Sequence, residues 1–195
     1  AEDYLTHIES AAWIYLDPAR RSNSGSKVFR IGDCEPDVAS LLDKLLSKTD
    51  NIMVKLSPMI DISTLINDLK FIVQIHIVAI ENECKEVLVI IKKNYSDDIE
   101  IKTINYRKNC IEEKFDFILK NESSATSKLA DKVRHYLYEP NAAIMKSGAF
   151  RLIGENFSLS KLHISSHLYT SDLFVSDFPG RIFEVKQVCD INKNT

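Results

Sequence analysis

The chain has 195 residues and a formal net charge of -3, with 45% hydrophobic and 27% charged residues. This composition is that of an ordinary globular protein, long enough for one large domain or two small ones. No apolar run approaches the ~20 residues that a membrane-spanning helix requires, and no signal-peptide pattern is present. We therefore expect a cytoplasmic protein with no membrane partner.

The cysteines and histidines give no metal-site or disulfide pattern. Cys34, Cys84, Cys110 and Cys189 are widely scattered and form no C-x-x-C pair, so we expect reduced thiols. His163 and His167 lie four residues apart, but the Ile, Ser, Tyr and Thr around them favour a strand or loop over a metal-binding helix. No metal site is predicted, and no P-loop or Ser/His/Asp arrangement supports a kinase or a hydrolase.

Residues 11 to 92 alternate between strand-like and helix-like segments, which is typical of an α/β layer with parallel strands. The strands are predicted at "AAWIYL" and "NIMVKLSP". A helix is predicted in "PDVASLLDKLLSK", with Pro36 suited to its first turn, and a second in "DISTLINDL", with Asp61 as its cap.

Two further strands, "FIVQIHIVAI" and "KEVLVIIKK", are separated only by the polar residues "ENEC". A parallel crossover needs a dozen or more residues, so this short connection predicts an antiparallel hairpin. The apolar and polar alternation of "IEIKTINY" and "KFDFIL" predicts more β structure after the hairpin.

The last third of the chain predicts two helices and a strand pair. The spacing of Leu129, Val133 and Leu137 predicts a helix over residues 124 to 137. A second helix is predicted over residues 141 to 153, entered after Pro140 and closed by Gly154. Residues 161 to 188 look strand-like at both ends, with a turn at Pro179-Gly180.

Polar residues follow two of the predicted parallel strands. Asp17 and Pro18 end the first strand, and Lys55, Ser57 and Pro58 end the next. Because ligands bind at the carboxyl ends of strands in open α/β sheets, an acid, a cation and a hydroxyl are expected in one cleft. The alternatives are that Asp-Pro is a simple turn former and that Lys55 only makes a salt bridge to Asp17.

Arg20 and Arg21 follow directly and belong to the same candidate site. The planar guanidinium of Arg20 could stack on a base, and Arg21 could pair with a phosphate. The alternative is that two adjacent arginines beside a loop are simply solvated. The net charge gives no overall attraction to nucleic acid, but a local basic strip would be enough for RNA binding.

A family resemblance rests on six segments that run in order along the chain, "LDPARR", "VKLSPMIDI", "ENECKE", "YLYEPNAAIMKSGAF", "SHLYTSD" and "DFPGRIF". They resemble bacterial class I S-adenosylmethionine-dependent methyltransferases that carry a ferredoxin-like segment and a THUMP-like C-terminal module. The resemblance implies an α/β fold, namely the C-terminal half of a Rossmann-like methyltransferase sheet plus a small α+β segment. It implies domains at residues 1–121 (the half-sheet), 122–172 (ferredoxin-like) and 173–195 (the start of the THUMP-like module).

The resemblance also implies a methyltransferase that uses S-adenosylmethionine and acts on RNA. Asp17, Pro18 and Lys55 would then be catalytic, and the substrate would be bound by Arg20, Arg21, Ser57 and Pro58. In the related Asp-Pro-Pro-aromatic motif a proline and an aromatic follow, whereas this chain has Ala19 and Arg20. This departure puts base N-methylation by the usual arrangement in doubt.

The cofactor half of such a site has no counterpart in the sequence. The five glycines form no G-x-G motif, and a Rossmann-type cofactor site needs a glycine-rich turn after its first strand. We therefore expect a fragment that is inactive alone, with unassigned cofactor-binding residues and an exposed sheet that promotes self-association. The alternative is a non-catalytic RNA-binding or protein-interaction domain on a Rossmann-like scaffold.

Overall fold

The computed structural model describes residues 2–20 and 30–189, which contain twelve strands, six α-helices and two short 3-10 helices, Ile31–Asp33 and Lys108–Cys110. The strands are β1 (Ile14–Leu16), β2 (Ala19–Arg20), β3 (Cys34–Glu35), β4 (Asn51–Leu56), β5 (Ile72–Ile80), β6 (Glu83–Lys92), β7 (Glu100–Arg107), β8 (Ile111–Ile118), β9 (Tyr136–Pro140), β10 (Ser160–Lys161), β11 (Tyr169–Ser171) and β12 (Gly180–Glu184). The helices are α1 (Glu2–His7), α2 (Val38–Leu46), α3 (Ile62–Asp68), α4 (Leu119–Ser124), α5 (Ala142–Ser147) and α6 (Leu152–Asn156). None of the helices in these ranges is long and apolar enough to cross a membrane.

A six-stranded mixed sheet in the order β1-β4-β6-β5-β7-β8 is the main layer. The β1–β4 and β5–β7 pairs are parallel, and the other neighbours are antiparallel. Four strands, β1, β4, β5 and β7, therefore run in one direction. The hairpin inserts β6 between β4 and β5, which confirms the predicted α/β fold with an inserted antiparallel strand.

The hairpin turn consists of two residues, Glu81 and Asn82, both with positive φ. Positive φ at both central positions is the geometry of a type I′ turn, whose twist matches that of paired strands. The backbone N–H of Asn82 donates to Asn105 Oδ1 at 2.9 Å, which ties the turn to β7. The short connection thus forms the antiparallel hairpin that the sequence predicts.

The two predicted helices between the strands are confirmed as α2 and α3. Asp37 caps α2 through hydrogen bonds from the backbone N–H groups of Ala39 and Ser40, so Pro36 precedes the cap instead of lying in the first turn. Asp61 caps α3 by accepting from the N–H of Thr64 at 2.7 Å. Both helices bury their apolar faces in the core beside β4, whose alternate residues are fully or almost fully buried.

The predicted helix over residues 124 to 137 is wrong. The chain leaves α4 at Ser124, continues without helix, and enters β9 at Tyr136. Leu129 forms a parallel bridge to Lys161, in which the N–H of Ala130 donates to the Lys161 carbonyl at 2.8 Å and the N–H of Lys161 donates to the Lys128 carbonyl at 2.7 Å. This pairing satisfies backbone hydrogen-bonding groups in an extended conformation. The four-residue spacing of Leu129, Val133 and Leu137 predicts a helix, but the tertiary contacts override this local preference.

A four-stranded sheet in the order β10-β11-β9-β12 carries the small α+β part. The single helix predicted for residues 141 to 153 is two helices, α5 and α6, because Gly148 ends α5 at a φ of 81° and Gly154 lies inside α6. Gly180 opens β12, where an added Cβ would lie 2.2 Å from the carbonyl oxygen of Glu139. The α5 helix packs against β5, β6 and β7, which joins the small part to the main sheet.

Candidate functional site

The carboxyl ends of β1 and β4 meet at one edge of the main sheet. In this parallel pair Leu16 lies opposite Val54, so the next residues, Asp17 and Lys55, are also neighbours. The Nζ atom of Lys55 lies 2.6 Å from Oδ2 of Asp17. The predicted proximity of these two residues is therefore confirmed, and the salt bridge considered as the alternative role of Lys55 is formed.

The charge of Lys55 is reinforced by its neighbours. Its hydrogen bond to Asp17 is the largest cause of a raised pKa, and the negative charge of Glu86 adds to it. Oε1 of Glu86 lies 3.8 Å from the Lys55 ammonium. Lys55 therefore remains an ammonium group at neutral pH and acts as a charge and hydrogen-bond donor, not as a proton acceptor.

An open cleft of about 280 Å³ surrounds this pair. It is lined by Asp17, Pro18, Ala19, Lys55, Leu56, Ser57, Pro58, Lys85 and Glu86. The side chain of Asp17 is 53% exposed, so solvent or a ligand can reach its carboxylate. Pro18 is buried beneath it and fixes the backbone at the strand end.

The turn after β4 is held by hydrogen bonds from two directions. The N–H of Met59 donates to Ser57 Oγ at 3.3 Å, and the N–H of Ile60 donates to the Ser57 carbonyl at 3.1 Å. Lys146 of α5 donates from Nζ to the carbonyl of Ile60, and burial lowers the pKa of this lysine. The small α+β part thus fixes the position of the Ser57-Pro58 turn.

The structure describes the backbone position of Arg20 but not that of Arg21. Arg20 lies in β2, which pairs with β3 so that Ala19 faces Glu35 and Arg20 faces Cys34. This short antiparallel pair directs the chain after Pro18. Arg21 lies outside the described residues, so its predicted phosphate contact stays a prediction.

Glu86 and Lys85 line the cleft although neither was a sequence candidate. Both lie near the start of β6, and the antiparallel insertion of β6 brings its amino end beside the carboxyl ends of β1 and β4. The polar pair at the start of the apolar run "KEVLVII" was a visible signal. It could not be interpreted without the strand order.

The described residues do not fit a glycine-rich cofactor cradle. Gly32, Gly148, Gly154 and Gly180 lie in helical segments, at a helix end, or at the start of a strand. None of them forms a turn after the carboxyl end of a main-sheet strand, where a nucleoside cofactor would need close backbone approach. Within residues 2–20 and 30–189 no group of three or more His, Cys, Asp or Glu side chains could hold a metal ion.

The comparisons with known proteins support two parts of this picture. Residues 136–179 match the family model of a ferredoxin-like domain. The chain is similar to the crystal structure of a "putative methyltransferase from Porphyromonas gingivalis W83", with 37% identity and a TM-score of 0.84. The similarity covers 95% of this chain but 46% of that one, so the chain spans about half the length of this solved protein. No curated protein matches the chain.

Proposed function

We propose that this chain forms the acceptor-substrate side of an S-adenosylmethionine-dependent methyltransferase that acts on RNA. The observation that carries the proposal is the Asp17–Lys55 pair, 2.6 Å apart, at the carboxyl ends of two adjacent parallel strands. Ligands of open α/β sheets bind at this edge. The likeness to a protein described as a methyltransferase supports this activity over other α/β enzyme functions.

Asp17 would bind the group that receives the methyl. Its exposed carboxylate can accept a hydrogen bond from an N–H or O–H of the substrate and take up the proton that leaves this group. The Lys55 ammonium donates to Oδ2 of Asp17 and so restricts the orientation of the carboxylate. Methyl transfer depends mainly on alignment of the nucleophile, and an oriented carboxylate supplies part of that alignment.

The cleft residues around the pair would contact the rest of the substrate. Lys85 adds a second ammonium to the lining, and Ser57 and Pro58 form its turn. Arg20 and Arg21 come after Ala19 in the sequence and add two basic residues to a chain with a net charge of -3. Lys55 and Lys85 are paired with Asp17 and Glu83, so we propose that the two arginines provide the positive charge for the phosphates of RNA.

The methyl donor would be held by residues other than those described. S-adenosylmethionine supplies the methyl group when bound, but the described glycines provide no cradle for it. The chain covers 46% of the methyltransferase-like structure, and we propose that the donor site belongs to the half without a counterpart here. The roles proposed for the residues of the Asp17–Lys55 cleft therefore concern binding of the methyl acceptor alone.

Two assays test the proposal. Calorimetry with S-adenosylmethionine should show no binding to this chain and micromolar binding to an extended polypeptide that adds the half of the solved protein without a counterpart here. The extended polypeptide should then transfer labelled methyl groups to RNA but not to protein in matched cell extracts. Micromolar binding by the chain alone would contradict the assignment of the donor site, and RNA binding without any transfer would favour a non-catalytic binding domain.

A further inference from the structure

A second cleft, of about 580 Å³, lies between α4 and the loop that joins β10 to β11. It shares no lining residue with the Asp17–Lys55 cleft. Its lining residues are Glu122, Ala125, Thr126, Ser127, Leu129, Phe150, Arg151, Lys161, Ile164 and His167. The volume is in the range of small-molecule sites, which are typically about 300–1,000 Å³.

Lys161 is a buried cation in this cleft, with a relative exposure of 6%. Its Nζ donates to the carbonyl of Ile164 at 3.1 Å, and no carboxylate in the described parts of the chain lies within salt-bridge distance of it. Burial is the largest cause of its lowered pKa; the charge of Glu122 raises this pKa, and the charge of Arg151 lowers it. An ammonium group has three donors, and the partners of this one are a single carbonyl and the face of the Phe150 ring, whose centroid lies 5.8 Å from Nζ. Two of its donors therefore lack an acceptor oxygen among the described residues.

Glu122, the acid that lines this cleft, already has other hydrogen-bond partners. Both carboxylate oxygens of Glu122 accept backbone hydrogen bonds, from the N–H of Arg151 and the N–H of Leu152, each at 2.9 Å. The Arg151 side chain makes one long contact, 3.4 Å from NH1 to the carbonyl of Ser123. The cleft therefore contains two cationic side chains against one carboxylate that is occupied by main-chain donors.

His167 adds a third unsatisfied polar group. Its ring stacks on Phe150 with centroids 3.8 Å apart. Its Nδ1 atom is buried and has no hydrogen-bond partner among the described residues. Buried polar atoms in folded proteins are almost always hydrogen-bonded, so an isolated one beside a cleft suggests that its partner is a ligand.

We propose that this cleft binds a phosphate group carried by a nucleotide-sized ligand. The phosphate oxygens would accept from the free donors of Lys161, from the guanidinium of Arg151 and from Nδ1–H of His167. A phosphate has enough acceptor oxygens and negative charge to satisfy all three groups at once. The inference does not depend on methyl transfer, because none of these residues belongs to the Asp17–Lys55 site.

Binding should be measured by calorimetry with inorganic phosphate, a nucleoside monophosphate and a short single-stranded RNA. Lys161→Met keeps the length of the side chain and removes its charge, so it should weaken binding at least ~10-fold. His167→Phe preserves the stack on Phe150 and should weaken binding by about 3-fold or more. The control, Lys120→Gln, removes the same charge from an exposed side chain and should bind as the wild type does.

Thermal unfolding separates a ligand site from a purely structural lysine. Lys161→Met should be at least as stable as the wild type, because it removes a buried charge that has no carboxylate partner. Tighter binding of the monophosphate would identify a free small ligand, and tighter, salt-sensitive binding of RNA would identify its backbone. Failure of all three probes to bind, or equal binding by wild type and Lys161→Met, would overturn the proposal.

Discussion

Asp17 and Lys55 are 38 residues apart in the chain, yet their charged groups lie 2.6 Å from each other at the end of the β1–β4 pair. The parallel register brings this about, since Leu16 pairs with Val54 and the following residues must be neighbours. Oε1 of Glu86, from the inserted β6, lies 3.8 Å from Nζ of the same lysine. The lysine is therefore shared by two acids from different strands.

Lys55→Met should reduce methyl transfer by the extended polypeptide with little change in thermal stability. The pair is solvent-exposed, and exposed ion pairs contribute little to folding. Loss of the donor leaves the Asp17 carboxylate free to rotate, and we expect kcat to fall about 10-fold or more. Lys85→Met, in the same cleft but paired with Glu83, is the control and should lower kcat less. Equal kcat values for both variants would contradict the orienting role of Lys55.

Asn141→Ala should destabilise the fold by about 2 kcal/mol, more than an ordinary helix cap. Asn141 is 2% exposed, and its Oδ1 accepts from the N–H groups of Ala143 and Ile144 at the start of α5. Its Nδ2 also donates to Glu113 of β8 at 3.2 Å. Asp61→Ala removes the exposed cap of α3 and should cost about 1 kcal/mol in chemical denaturation. An equal or smaller loss for Asn141→Ala would contradict this linking role.

His76 should make folding stability fall as the pH drops below about 6.5, the ordinary pKa of histidine. Burial is the main cause of its lowered pKa, and Lys102 lowers it further, while Asp116 and Glu100 raise it. The unfolded chain therefore binds a proton more readily than the folded one. The stability is fully present above the unfolded pKa and is lost as the pH falls toward the lower, folded pKa.

Urea denaturation at about pH 7.5 and about pH 5.5 measures this effect, with the ordinary histidine pKa lying between the two conditions. His76→Gln should lose less stability than the wild type across this interval. The same substitution at the exposed His7 should leave the wild-type difference unchanged. A wild-type pH response in His76→Gln would show that other groups account for it.

The β1 edge should make this chain self-associate. Among the described residues β1 has a strand partner on one side only. Trp13, directly before β1, is 53% exposed, and Tyr15, within β1, is 56% exposed. An edge strand with exposed aromatic residues favours edge pairing with a second copy. Tyr15→Lys should raise the monomer fraction in light scattering, whereas Leu173→Ser, at an exposed leucine elsewhere, should not. A strictly monomeric wild type at high concentration would contradict the proposed self-association.

The sequence predicts the main sheet well because its signals are local. The apolar run of β4, and the short polar connection "ENEC" between the next two predicted strands, indicate strands and a hairpin without knowledge of distant contacts. The periodicity of residues 124 to 137 predicts the wrong structure, because Leu129 pairs with Lys161, 32 positions away. Periodicity cannot detect a backbone partner at that distance.

The two clefts also differ in how far local sequence patterns predict their residues. Asp17 and Lys55 were predictable from parallel-strand geometry, since both follow apolar runs that end at one edge. Glu86 required the strand order, and the second cleft required the packing of α4 against residues 150 to 167. His167 was singled out in the sequence only as a possible metal ligand, and its unpartnered Nδ1 is visible only in the structure.

The measurement that tests the central claim most directly is the steady-state methyl transfer rate of Asp17→Asn in the extended polypeptide. Asparagine keeps the shape of the side chain but cannot take up the proton of the acceptor group, so kcat/KM for RNA should fall about 10²-fold or more. Asp98→Asn, which changes an exposed acid paired with Lys120, should retain the wild-type value. An Asp17→Asn variant as active as Asp98→Asn would contradict the assignment of this site to methyl transfer.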